Sequence, residues 1–146
     1  MIKKRAAVLF LTVFCMIAVT ACSGKQKMKD GYYTAQAEEY SNGWKEFVTI
    51  TVQRGRIISS EYNATNESGF IKSWDNAYMT NMKEIKGTYP NEYTRAYSAQ
   101  LLQNQSGGVD AISGASTSAR SFDILAAAVI EQAKKGDSKI VTVKTD

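Results

Sequence analysis

Histidine does not occur anywhere in the 146 residues, and cysteine occurs only twice, at Cys15 and Cys22. With no imidazole and so little sulfur, the ordinary ligand sets of zinc, haem iron and iron–sulfur clusters are missing. Any electron transfer would then rest on an organic cofactor, for which a protein supplies orientation and electrostatics. The chain also lacks internal repeats and low-complexity tracts, which leaves one ordinary domain of about a hundred residues behind whatever precedes it.

What the chain does have begins at its N-terminus. Met1-Ile2-Lys3-Lys4-Arg5 is short and positive, and the apolar run from Ala6 to Val19 follows it. That run is short for a permanent bilayer span and of the length of a secretory h-region. It ends in Val19-Thr20-Ala21-Cys22, which resembles a lipobox: an aliphatic residue and two small residues before a cysteine whose thiol receives diacylglycerol. Residues 1–21 therefore read as a lipoprotein signal peptide, with Cys22 the lipidated first residue of the mature chain. More than one acyl chain on Cys22 suits stable anchoring, since a single chain binds membranes only marginally. An ordinary signal peptide or anchor helix with an incidental thiol is the competing reading.

This changes the meaning of the charge. The net charge of +4 includes Lys3, Lys4 and Arg5; without these three, 15 of the 18 basic residues remain against 14 acidic ones. The balance makes no case for nucleic acid as a partner. Cys15 leaves with the leader and Cys22 carries lipid, so the mature protein is expected to have neither a disulfide nor a free thiol.

Ser23 to Asp30 is polar and aperiodic, the composition of a flexible tether over residues 22–30. Gly31 to Ala37 has the aromatic and threonine content of a strand. In Glu46 to Gln53, Val48, Ile50 and Val52 alternate with Thr49, Thr51 and Gln53, the period of a strand buried on one face. Gln53-Arg54-Gly55-Arg56 reads as a turn, with Ile57 to Asn63 returning antiparallel. Trp74, Tyr78 and Met82, four apart, with Ile85 following, predict a helix from Trp74 to Lys86 that stops at Gly87. A second helix starts near Pro90 and runs to Gln105. A third runs from about Ser116 to Lys135, with Phe122, Leu125, Ala126, Val129, Ile130 and Ala133 as its apolar stripe and Gly136 as its stop. The last residues, 137–146, contain Ile140 to Val143, either an edge strand or a loose tail. The expected class is α+β: a small antiparallel sheet with about three helices in a single domain over residues 31–136.

Small and hydroxylated residues are concentrated in Val109-Asp110-Ala111-Ile112-Ser113-Gly114-Ala115-Ser116-Thr117-Ser118-Ala119, directly before the strongest helix. Free backbone N–H groups, hydroxyls and a positive helix end make such a segment a natural place for a phosphate. From the hydroxyls alone, an ordinary helix N-cap with surplus serine and threonine is the simpler reading.

The string Asp110-x-x-Ser113-Gly114-Ala115-Ser116 resembles the flavinylation motif of the FMN-binding domain family. That family includes flavin subunits of sodium-pumping and ferredoxin-linked redox complexes and small surface redox lipoproteins. Asp30-Gly31-Tyr32-Tyr33-Thr34, the Arg54-Gly55-Arg56-Ile57 turn and Lys86-Gly87-Thr88-Tyr89-Pro90-Asn91-Glu92-Tyr93 extend the resemblance over most of Asp30 to Gly136. It implies that a flavin transferase moves FMN from FAD onto the Ser116 hydroxyl as a phosphoester. Asp110 would be the acidic determinant of that transfer, and Gly114 and Ala115 would leave the acceptor accessible. Most members carry threonine at the acceptor position, so Thr117 is a competing site. The cofactor-binding set implied is Asp110, Ser113, Gly114, Ala115, Ser116 and Thr117.

The resulting expectation is an FMN-bearing electron carrier, anchored by lipid to the extracytoplasmic face of the cell membrane or to an outer membrane. It would exchange electrons with redox donor and acceptor proteins or a quinone-linked reductase rather than act as a stand-alone enzyme. Of the aromatic residues (Tyr32, Tyr33, Tyr62, Tyr78, Tyr89, Tyr93, Tyr97, Trp44 and Trp74), one or two would touch the flavin, and the others would pack the core. The alternative is a surface ligand-binding or adhesin-type lipoprotein that keeps the fold without redox activity.

Overall fold

A computed structural model describes residues 26–145. The signal peptide expected over residues 1–21 and the lipidation site expected at Cys22 lie outside the described residues. The elements run β1 (Gly31–Ala37), β2 (Lys45–Gln53), β3 (Arg56–Thr65), a 3-10 turn (Lys72–Trp74), α1 (Asn76–Lys86), α2 (Pro90–Asn104), α3 (Ser116–Lys135) and β4 (Val141–Val143). The class is α+β, as the periodicities imply.

The four strands form one sheet in the order β3-β2-β1-β4. β1, β2 and β3 make an antiparallel meander. Val48, Ile50 and Val52 of β2 are buried, as are Tyr33, Ala35 and Ala37 of β1. These side chains share the face on which α2 and α3 pack. On the other face the strands pair through hydroxyls: Thr34 with Thr49 at 2.9 Å and Ser59 with Thr51 at 2.7 Å. The β2–β3 turn has positive φ at both central residues, Arg54 at 53° and Gly55 at 73°, the backbone of a type I′ hairpin.

β3 carries a feature that alternation alone does not reveal. Its register shifts between the partners of Thr51 and Val52: Val52 faces Ile57, but Thr51 faces Ser59. Ile58 is the extra residue of a β-bulge, and it is exposed. Because side chains alternate with period two, one inserted residue exchanges the faces of everything after it. Tyr62 and Ala64 consequently join Ile57 on the helix-packed face instead of Ser59 and Glu61.

β4 is an edge strand, not a loose tail, and it pairs parallel to β1, with Val141 opposite Ala35. The sheet is therefore mixed at this one edge. α3 returns along the sheet to the level of the β1 start, where Lys29 N–H donates to the Ala133 carbonyl at 2.9 Å. Gly136, at φ 73°, ends α3 there, so the chain that follows can only run back beside β1 in the same direction.

The helix expected from Trp74 begins at Asn76 instead. Asp75 caps it, its carboxylate accepting from the Tyr78 N–H at 2.9 Å, and Trp74 belongs to the preceding 3-10 turn. Trp74 and Ile85 are 68% and 67% exposed, and α1 has no buried residue. α1 therefore covers the rim of the core without filling it. α2 and α3 do the filling: Tyr93, Tyr97 and Leu101 lie on one face of α2, against the Ala119, Phe122, Leu125, Ala126, Val129 and Ala133 stripe of α3. Tyr62, Tyr97 and Phe122 form an aromatic cluster at its centre, with ring centroids 5.0 Å apart for Tyr62–Phe122 and 5.8 Å for Tyr97–Phe122.

The expected tether is shorter than its composition suggests. Gln26 donates to the Lys134 carbonyl, Lys29 Nζ to the Lys135 carbonyl, and the Asp30 carboxylate accepts from Gly55 N–H at 3.1 Å. Residues 26–30 are thus fastened between the end of α3 and the β2–β3 turn.

Candidate functional site

The segment from Gly108 to Ala115 is irregular, yet side chains from the helices beside it hold it at successive points. Asp123 of α3 accepts from Gly108 N–H at 2.8 Å and Val109 N–H at 3.1 Å. Gln100 of α2 accepts from Asp110 N–H at 2.7 Å. Tyr97 of α2 makes two bonds through one oxygen, accepting from Ile112 N–H at 3.0 Å and donating to the Ala115 carbonyl at 3.1 Å. Burial holds the Tyr97 phenol above its ordinary ionisation range, so it remains the neutral donor this bridge needs.

Gly114 closes the segment against α1. Its φ is 84°, and a Cβ built there would lie 2.3 Å from the Lys86 carbonyl oxygen. No other residue fits both the backbone conformation and the contact. This gives Gly114 a steric reason for being glycine, and the Lys86-Gly87 stretch a reason for lying where it does.

α3 then starts at Ser116 with Ala115 as its N-cap, and no side chain caps it. The first backbone bond of the helix runs from Ala119 N–H to the Ala115 carbonyl at 3.0 Å. The N–H groups of Ser116, Thr117 and Ser118 therefore have no partner within the helix. The simpler expectation, that these hydroxyls serve as an ordinary cap, does not describe this helix. Ser113, Ser116 and Thr117 are exposed, and so is Asp110, whose carboxylate has no hydrogen-bond partner among the described residues. Ala115 is buried, beneath the segment.

A cleft of about 580 Å³ opens beside the helix start. Gly114, Ala115, Thr117 and Ser118 form one side; Ser116 stands next to it without lining it. Trp44 and Tyr78 also line it, packed edge to face with centroids 5.9 Å apart. Lys72, Lys86 and Arg120 bring positive charge to the cleft, against Glu39 and Glu46. Lys72 Nζ sits 4.8 Å from the Tyr78 ring centroid and 5.8 Å from that of Trp44, a cation–π arrangement. Glu46 is engaged by the Tyr62 hydroxyl at 2.6 Å, and that phenol also lies 3.0 Å from the Ser118 carbonyl. Burial, followed by the Glu46 charge, pushes the Tyr62 phenol well above its usual range.

A phosphate-bearing flavin fits this donor set on three counts. The N–H groups at the helix start and the nearby cations suit a phosphate, the exposed hydroxyls are open to esterification, and the cleft beside them has room for a ring system. Of the residues singled out from sequence, the fold gathers Gly114, Ala115, Ser116 and Thr117 at one point and leaves Asp110 and Ser113 further out on the same loop. Sequence reading named Trp44, Tyr78 and Tyr97 among its aromatic candidates without choosing between them, and missed the fastening residues Gln100 and Asp123 and the cleft-lining Lys72, Lys86 and Arg120. The three-residue step from Tyr97 to Gln100 puts both on one side of α2, which is the one signal available for them. A second cleft, of about 470 Å³, is lined by Phe47, Asn63, Ile71, Trp74 and Arg95 among others, and contains no residue of the motif.

No profile of a known protein family matches the chain. Over 129 residues it is 29% identical to the 15 kDa lipoprotein of Treponema pallidum (strain Nichols), an alignment covering 87% of this chain and 92% of that protein. The likeness to a lipoprotein supports a lipoprotein reading of the N-terminus. Among the described residues no helix is long and apolar enough to cross a membrane. Two solved structures share the fold. The solution structure of a Clostridium thermocellum protein is 30% identical, with a TM-score of 0.50 over 77% of this chain and 95% of its own. The crystal structure of the CPE2226 protein of Clostridium perfringens superposes with a TM-score of 0.77 at 32% identity, over 80% of this chain and 98% of that one. By that identity and coverage, the chain belongs to the same protein family as CPE2226.

Proposed function

We propose that this protein is a lipid-anchored extracytoplasmic electron carrier that holds FMN at the start of α3. The observation that carries the reading is the uncapped start of α3, fastened from behind by Tyr97, Gln100 and Asp123 and open in front to a cleft with aromatic and cationic walls. Together with the Asp110-x-x-Ser113-Gly114-Ala115-Ser116 string, it supports phosphoester attachment to Ser116. In that transfer the Ser116 oxygen bonds to the flavin-side phosphorus of FAD. The phosphorus–oxygen bond to the adenylate half breaks, AMP leaves, and the hydroxyl proton is lost. The flavin would supply one- and two-electron chemistry; the chain's own part is to hold the phosphate, position the ring and limit its exposure to water.

Thr117 is the competing acceptor, favoured by one observation: it lines the cleft and Ser116 does not. Co-expression with a flavin transferase, followed by intact mass and visible absorbance, tests the reading. The expected product is yellow and heavier by one FMN less water. Ser116→Ala is expected to abolish the adduct and Thr117→Ala to leave it, and the reverse pattern moves the attachment to Thr117. A colourless protein with both hydroxyls unmodified refutes covalent attachment. A ligand-binding or adhesin-type lipoprotein would instead keep its function in Ser116→Ala.

A further inference from the structure

The end of the molecule opposite the cleft has a composition of its own. It is formed by the N-terminal segment, the β2–β3 turn and the end of α3, joined by the Lys29–Ala133, Lys29–Lys135 and Asp30–Gly55 hydrogen bonds. Its cationic side chains are Lys27, Lys29, Arg54, Arg56, Lys134, Lys135 and Lys139, all exposed apart from the half-buried Lys134. Three carboxylates accompany them. Asp30 is bound to the Gly55 N–H, Glu131 is paired with Lys134, and Asp137 accepts from the Lys139 N–H at 3.1 Å. Seven cations against three carboxylates leave a surplus of four positive charges at this end, while the rest of the mature chain, with 8 basic and 11 acidic residues, is net negative.

The chain leaves the domain at this same end. Gln26 is hydrogen-bonded to the Lys134 carbonyl, and four residue steps separate it from Cys22. Fully extended, that spacer reaches about 14 Å, at 3.3–3.6 Å per residue. If lipid sits on Cys22, the basic end lies within about one to two Debye lengths of the headgroups at physiological salt.

We propose that this basic end is a second membrane-docking element, which seats the protein on an anionic bilayer surface and fixes its orientation there. The proposal rests on the lipid-anchor reading for its geometry. Multiple lysines and arginines held near an anionic leaflet attract it additively, and they complement an acyl anchor. α3 starts at the cleft and ends at the basic face, and its 20 residues span about 30 Å at 1.5 Å per residue. Docking would therefore hold the Ser116 end further from the bilayer than Lys135, by up to about 30 Å where α3 stands upright, facing partners outside the membrane.

Two measurements test this. In the first, the mature chain with Cys22→Ser, made without lipid, is sedimented with vesicles of phosphatidylcholine alone or with about three parts in ten phosphatidylglycerol. Binding is expected only to the anionic vesicles and is expected to disappear at high salt. It should fall about tenfold or more in Lys27→Glu/Lys135→Glu/Lys139→Glu, with an unchanged circular dichroism spectrum showing the fold intact. Equal binding to both vesicles, or an unchanged triple variant, overturns the proposal. In the second, the lipidated protein in anionic vesicles is labelled with an amine reagent and read by mass spectrometry. Lys27, Lys135 and Lys139 are expected to be protected and Lys83, exposed and outside the cleft, to remain reactive; uniform reactivity overturns the orientation. The same spectra report acylation of Cys22. Absence of lipid there would fail the anchor reading, while the sedimentation result would still decide the basic face.

Discussion

At its C-terminal end α3 is closed in every available way. Gly136 takes the left-handed conformation and returns its N–H to the Gln132 carbonyl at 2.8 Å, Lys134 and Lys135 occupy the last turn, and the N-terminal segment bonds across Ala133 to Lys135. At its N-terminal end Ser113, Ser116, Thr117 and Ser118 surround a helix start that no side chain caps, although Asp75 caps the neighbouring α1. The open end therefore does not reflect a shortage of capping residues. The loop before it is held instead by Tyr97, Gln100 and Asp123, and the N–H groups of Ser116, Thr117 and Ser118 have no partner within the helix.

The contrast can be attacked at several points. Gly114→Ala should do most damage, because a Cβ meets the Lys86 carbonyl at 2.3 Å and φ is 84°. A loss of about 2–4 kcal/mol in urea unfolding, or a displaced loop, is expected. A neutral result would show that α1 moves aside freely, and that the open end is not rigidly built. Tyr97→Phe removes both bonds of the bridge and leaves Ile112 N–H and the Ala115 carbonyl without it. This should cost about 1–3 kcal/mol and speed exchange of the Ile112 amide. Exchange unchanged at Ile112 would mean that the phenol does not fasten the loop.

At the closed end, Gly136→Ala should cost about 1 kcal/mol and leave flavin loading untouched. A loss of loading there would break the separation of the two ends. The smallest effect is one of pH. Hydrogen bonds from the Arg54 and Gly55 backbone lower the Asp30 carboxyl below its ordinary 3.8. A depressed folded value contributes stability above 3.8 that is lost as pH falls through the folded value. Asp30→Asn should therefore flatten the acid side of the stability profile slightly, and an unchanged profile would show that the Gly55 contact does not hold the segment.

Much of the fold was legible because periodicity reports which face of an element is buried. β2 and α3 show this best: Val48, Ile50 and Val52 at period two, and Phe122, Leu125, Ala126 and Val129 at steps of three and four, are all fully buried. The bounds of α3 and its stop at Gly136 were equally readable. Trp74 shows where periodicity misleads. Its four-residue step to Tyr78 is genuine, but Asp75 offers a cap between them, and local capping set the boundary. The Ile58 bulge had no signature in residue type, since Ile57 and Ile58 suit either register; the packing of Tyr62 against Phe122 is compatible only with the shifted one. Of the site, the segment from Asp110 to Thr117 was visible as a cluster of small and hydroxylated residues. The part its supports play was not, because Tyr97, Gln100 and Asp123 lie ten to eighteen positions from the groups they hold and meet them only through helix packing.

Residue types and their spacing were enough to give the class of the fold, the order of its elements and the place of the segment rich in small and hydroxylated residues. Those properties depend on residue types and short-range spacing. It took the folded chain to show that Trp44 and Tyr78 line the cleft, that Thr117 lines it while Ser116 stands beside it, and that residues 26–30 are bound at the far end of α3. Those depend on contacts between residues far apart in the chain, where closure of the core, and not local preference, fixes which side chains meet.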